Sequence, residues 1–120
     1  MIELLTAVRY KTPITSVVFY NRQWGAEKKN QVDFYGHRFE AADLENLDIE
    51  GLSRGTGAEC IMVDQLDQVG PALTHAVDLQ MNQQQSCVIG IHCTRELGDP
   101  FRRDALRKPV RHLSKYKDFV

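Results

Sequence analysis

No apolar run in this chain approaches the roughly 18 residues that a membrane-crossing helix needs. Its first ten residues, MIELLTAVRY, carry an acid at Glu3 and no basic lead-in or cleavage site, so they do not read as a signal peptide. Cysteine is scarce: Cys60, Cys87 and Cys93, with no C-x-x-C pair. An odd count without a framework excludes a disulfide scaffold and fits a reducing, cytoplasmic setting; Cys60 and Cys87 sit in apolar runs as small hydrophobes. Charge of either sign is not in excess. A net charge of −1 gives no overall attraction to nucleic acid or to an anionic membrane. Internal repeats and low-complexity segments are absent too.

What is present is an ordinary globular composition, 42% hydrophobic and 26% charged over 120 residues, the size of one domain. Ile14–Asp33 (ITSVVFYNRQWGAEKKNQVD) stands out. Ile14 to Tyr20 is β-branched and aromatic and reads as a buried strand. It gives way at Asn21 to a polar stretch, expected to be a long loop to about Arg38 that carries Trp24, Phe34 and Tyr35. In an open α/β sheet ligands bind beyond the carboxyl ends of strands, so the Asn21-x-x-x-Gly25 turn is the first place to expect a site. Asn and Gly are also common turn residues. Arg22, Lys28 and Lys29 read as a solvated polar face.

Ahead of that strand, Leu4, Leu5 and Val8 share a helical face that ends before Pro13. Beyond it, Ala41 to about Arg54 is weakly helical through Leu44, Leu47, Ile49 and Leu52, with Gly51, Gly55 and Gly57 leaving its end open. Cys60–Val63 is a short strand. A helix then runs to about Asn82, with Leu66, Val69, Leu73, Ala76, Val77 and Met81 on its apolar face. Pro71 falls early in it, where proline costs least. Asp64 and Asp67 lie at its start, where acids suit the helix dipole. Ser86–Cys93 is the third strand, with Gly90 a weak point or a close-approach position. Alternating strands and helices imply an α/β fold of three layers on a mainly parallel sheet. His37, His75, His92 and His112 have no metal-like spacing; His92 ends a strand, where a site is conceivable. Residues 94–120 form an arm with eight basic residues against four acids, broken by Pro100 and Pro109.

Two blocks, FYNRQWGAEKKNQVDFY and TRELGDPFRRDALRKPVRHLSKYKDFV, resemble the carboxyl-terminal end of the sulfoacetaldehyde acetyltransferases, thiamine-diphosphate enzymes of the acetolactate-synthase type. The resemblance extends from Ile2 to Val120 and is weakest over Glu40–Cys60, where GLSRGTGAEC stands in place of a cleaner helix ending in Gly-Ala. It implies that residues 1–93 are part of a carboxyl-terminal cofactor-binding domain and that 94–120 are a basic arm packed on it. It also implies thiamine diphosphate and Mg²⁺ as cofactors. Asn21 would ligate Mg²⁺ through its side-chain carbonyl and Gln23 through its backbone carbonyl. Gly25 would admit the diphosphate; Trp24 is either a packing anchor for the loop or, with that packing, a contact to the cofactor. Mg²⁺ favours such hard oxygen donors shared with water and phosphate.

The family's Gly-Asp-Gly motif is missing, and with it the aspartate ligand; so is the pyrimidine-binding domain with its activating glutamate. The expectation is therefore a carboxyl-terminal fragment or truncated relative, inactive alone, binding no cofactor alone and holding no catalytic residue. In the whole enzyme the implied substrates are sulfoacetaldehyde and phosphate, converted to acetyl phosphate and sulfite within a homo-oligomer, with no nucleic acid or membrane as partner. Arg102 and Arg103 are the candidates for a substrate oxyanion, which suits arginine's planar fork; salt bridging to the acidic body is the plainer alternative. Two other readings stand beside this one. One is a catalytically dead stand-alone domain that self-associates through uncovered sheet surface. The other is a small-anion-binding module acting through the basic arm.

Overall fold

The computed structural model describes residues 2–98. They fall into two compact units, one of Met1–Arg22 with Leu44–Arg95, the other of Gln23–Asp43 with Glu96–Val120, of which residues 23–43 and 96–98 are described.

The first unit is a three-stranded parallel sheet in the order β1-β3-β2, with β1 at Thr15–Tyr20, β2 at Glu59–Val63 and β3 at Cys87–His92. This bears out the α/β reading and places the last strand of the three in the centre. Cys87–Ile89 are all but inaccessible to solvent, as a two-sided core strand requires. Alternation along the strands then builds two cores. Cys87, Ile89 and Val63 pack with Ala72, Ala76 and Leu79 of helix α4 (Val69–Asn82). On the opposite face Val88 and Tyr20 pack with Leu4 of helix α1 (Ile2–Arg9) and Ile49 of helix α3 (Ile49–Thr56). These are the three layers. The β2–α4–β3 passage is a βαβ unit, entered through a short 3₁₀ turn at Leu66–Gln68.

Several expectations need correction. The stretch from Asn21 to Arg38 is not all loop: helix α2 occupies Gly25–Phe34. Its residues favour helix, and Lys29 bridges Asp33 one turn on, but it buries no side chain and so has no apolar stripe to betray it. The Ala41–Arg54 helix is shorter and later, at Ile49–Thr56. It begins where the Asp48 side chain accepts from the Gly51 amide (2.8 Å) and ends on Gly57, whose φ of 83° only glycine adopts without strain. That helix is therefore cleanly bounded and ends in Gly57-Ala58. The buried face of α1 is Leu4 and Ala7, with Leu5 exposed. On α4 it is Ala72, Ala76 and Leu79, while Leu73, Val77 and Met81 are exposed, as is Leu66 in the 3₁₀ turn before it. β1 is an edge strand rather than a buried one, and Phe19 is 74% exposed. Gly90 is a close-approach position: a Cβ there would lie 2.6 Å from the Met62 sulfur and 3.5 Å from Ile49.

In the second unit, α2 runs beside an irregular return. Gln23 and Asp43 form an antiparallel bridge, and the Trp24 amide donates to the Ala42 carbonyl (2.8 Å). The Gln31 side chain accepts from the Glu40 amide (3.0 Å) and donates to its carbonyl (2.8 Å). Lys28 bridges Asp43 at 2.8 Å and lies over the Phe39 ring.

Candidate functional site at the carboxyl ends of the strands

Parallel strands bring their carboxyl ends to one edge. Here Tyr20 ends β1, His92 ends β3, and Asp64 follows β2 directly. Pairing continues past the strand ends, since the Cys93 amide donates to the Tyr20 carbonyl (2.9 Å).

Tyr20 anchors this edge. Its ring is buried, and its hydroxyl donates to the Glu45 carbonyl (2.7 Å) and accepts from the Leu47 amide (2.7 Å). Its ring also lies 6.2 Å from that of His92. His92 is held from the other side. Its Nδ1 lies 2.5 Å from a carboxylate oxygen of Asp64. Asp64 is set in turn by Gln68, whose side-chain oxygen accepts from the Asp64 and Gln65 amides, both at 3.0 Å. The carboxylate beside Nδ1 holds the orientation of the imidazole ring.

Tyr20, Asn21, Arg22, His92, Cys93 and Arg95 line a cavity of about 320 Å³ at this edge. That is the small end of the range for ligand pockets. Arg22 sits in the left-handed region, φ 58°, an arrangement that costs a non-glycine residue roughly 1–2 kcal/mol. Strain of this kind concentrates at functional sites.

The expected site residues divide between the two units. Asn21 lines the cavity in the first. Gln23, Trp24 and Gly25 belong to the second. Gln23 is buried and Trp24 is 56% exposed. Gly25 opens α2, whose amino terminus has no side-chain cap. Uncapped first-turn amides on a helix of ten residues suit a phosphate oxygen. Asn21 offers a hard oxygen donor. Among the described residues no group of three or more His, Cys, Asp or Glu side chains could hold a metal, so any Mg²⁺ here would rely on amide oxygens, water and phosphate. Taken separately, the Asn21 side-chain oxygen in the first unit and the first-turn amides of α2 in the second are donors of the kinds that Mg²⁺ and a diphosphate accept. Arg102 and Arg103, and with them nearly all of the basic arm, lie outside the described residues.

Sequence reading missed the His92–Asp64 pair. The available signal was positional: each residue sits at the carboxyl end of a strand, 28 residues apart, and strand order alone brings them together. The cysteines behave as read. All three are free, and burial pushes the Cys87 thiol up to about 11. Burial also raises Cys60, against a hydrogen bond with Ser53, while Cys93 is exposed. Among the described residues no helix is long and apolar enough to cross a membrane.

Comparison with known proteins shows the family of the chain. Sulfoacetaldehyde acetyltransferase from Alcaligenes xylosoxydans xylosoxydans is 62% identical over 120 residues, all of this chain and 20% of the relative. The Castellaniella defragrans enzyme of the same name is 60% identical over the same span. That of Roseovarius nubinhibens is 36% identical over 98 residues, 81% of this chain and 16% of the relative. The chain spans about a fifth of the length of the first two relatives and matches their carboxyl-terminal part. Residues 1–91 match the model of the family described as thiamine pyrophosphate enzyme, C-terminal TPP binding domain, and to that family this chain belongs.

Proposed function

We propose that this chain forms the diphosphate side of the active centre of an enzyme that uses thiamine diphosphate and Mg²⁺ to convert sulfoacetaldehyde and phosphate to acetyl phosphate and sulfite. The observation that carries this reading is identity of 62% and 60% across all 120 residues with two proteins named for that activity. Asn21 ligates Mg²⁺ through its side-chain oxygen and Gln23 through its backbone carbonyl. Gly25 and the first turn of α2 receive the diphosphate, with Trp24 alongside. Thiamine diphosphate, when bound, supplies the carbanion chemistry; these residues bind and orient it, and none of them transfers a proton. Arg102 and Arg103 take a substrate oxyanion. The three free thiols support a cytoplasmic setting.

The chain contains no Gly-Asp-Gly, so we assign it a half-site that is inactive alone. Supplied with thiamine diphosphate, Mg²⁺, sulfoacetaldehyde and phosphate, it is expected to form no acetyl phosphate. Calorimetry is expected to give no Mg²⁺-dependent cofactor binding tighter than about millimolar. Micromolar, Mg²⁺-dependent binding by the chain alone would overturn the half-site.

One observation favours a second reading, a self-associating domain without activity. Val17 and Phe19 are exposed on β1, at the edge of the sheet. Thr15 Oγ1 donates to Gln80 of α4, so residues 15, 17 and 19 share the α4 side of the strand. An apolar edge of this kind recruits another chain.

A further inference from the structure

Asn21 sits inside a closed circuit of hydrogen bonds and main chain, all of it within the first unit. On its amino side the Tyr20 carbonyl accepts from the Cys93 amide, just past β3 (2.9 Å). On its carboxyl side the Arg22 carbonyl accepts from the Leu44 amide (2.9 Å). The tyrosine side chain joins the two sides. Its hydroxyl donates to the Glu45 carbonyl and accepts from the Leu47 amide, so it holds the segment that Leu44 begins. The circuit therefore runs from the Tyr20 hydroxyl through residues 47–44 to Arg22, and back through Asn21. Within it Arg22 takes a left-handed φ of 58°, which persists in a non-glycine residue only where the surroundings fix it.

We propose that Tyr20 is a positioning residue for the metal subsite: its hydroxyl, acting through residues 44–47, locks the left-handed turn at Arg22 that presents Asn21. Ring burial alone would be served by phenylalanine; the hydroxyl is what closes the circuit. The chemistry of the ion calls for such a lock. Mg²⁺ demands near-ideal octahedral geometry, so a donor carried on a loosely held turn loses affinity. Tyr20 itself supplies no ligand and acts only through the turn. This role rests on the reading that Asn21 ligates Mg²⁺, and it adds the residue that sets that ligand in place.

The lock is tested by amide hydrogen exchange, followed by NMR on the 120-residue chain. In Tyr20→Phe the Leu47 amide loses its acceptor and is expected to exchange about tenfold faster or more, the effect of losing one hydrogen bond. The deciding signal is the Leu44 amide, whose acceptor is Arg22 rather than Tyr20. It is expected to accelerate by a similar factor. A tyrosine that merely tied residues 45–47 to the sheet would leave Leu44 protected, and that result would overturn the proposal. Equal acceleration of Leu44 in Ala72→Gly, which weakens the fold from the buried face of α4, would mean general loosening and would overturn it as well. The link to the metal is read with Mn²⁺ and thiamine diphosphate at millimolar concentration, where weak half-site occupancy by a paramagnetic ion suffices. The Asn21 side-chain amide signals are expected to broaden in the unaltered chain. In Tyr20→Phe that broadening is expected to fall about threefold or more, because binding scales with the fraction of chains that present the turn. Broadening that Tyr20→Phe leaves unchanged would overturn the positioning role alone. No broadening of Asn21 in the unaltered chain would overturn the reading of Asn21 as a ligand, and the positioning role with it.

Discussion

Tyr20 joins the sheet to the segment before α3. Its hydroxyl satisfies one carbonyl and one amide of residues 45 and 47, both at 2.7 Å, from a buried position. Tyr20→Phe keeps the ring and strips both partners. The expected cost is about 1–3 kcal/mol in urea denaturation, the usual penalty for orphaned buried polar groups. The thiols give a second test at this scale. Cys93 is exposed and Cys87 is buried with its pKa raised to about 11. Iodoacetamide at neutral pH is expected to modify Cys93 first and to reach Cys87 only after denaturation, as read by mass spectrometry. The same shift sets an alkaline limit. The folded thiol holds its proton above the ordinary value of 9.0, so the unfolded chain ionises first and stability falls between pH 9 and about 11. The loss is on the order of 2–3 kcal/mol.

Helix boundaries show what local chemistry could and could not reveal. α3 has both of its signals in the sequence, Asp48 at its start and Gly57 at its end. The intervening Gly51 and Gly55 obscured them, because glycine inside a helix argues against one. Asp48→Ala is expected to remove the cap and cost about 1 kcal/mol, measured by the denaturation midpoint. α2 has neither signal. Trp24 stands where a capping residue would, and the helix buries nothing, so neither cap nor periodicity marks it. On α4 the extent was legible but not the face. Apolar residues lie on two stripes, and packing chose the one with Ala72 and Ala76, whose small side chains let the helix approach the sheet closely. The three strands were legible because β-branched and apolar runs are short and sharply bounded. The asparagine loop at the end of β1 was legible for the same reason. His92 and Asp64 were not paired in advance because nothing local links them; the order β1-β3-β2 does.

For the molecule as a whole, the exposed side chains of β1 set the question of assembly. Val17 and Phe19 project from an edge strand, on the side of α4 where Leu73 and Val77 are also exposed. If the chain self-associates there, sedimentation equilibrium should give a dimer or larger species. The double substitution Val17→Lys and Phe19→Lys should return it to monomer while leaving the thermal transition in place, since neither side chain is part of the buried core. A wild-type monomer at high concentration would rule that assembly out.

Strand order also governs the timing of folding. Among the described residues β1 pairs with β3 alone, so Thr15 must find Cys87 across most of the described chain. β2 and β3 are separated by one helix and can meet first. During synthesis β1 precedes its described partner, and that pairing waits until the central strand emerges. Long-range parallel pairing of this kind closes slowly. Until then Val17 and Phe19 stay open to chaperones that bind apolar stretches of nascent chains.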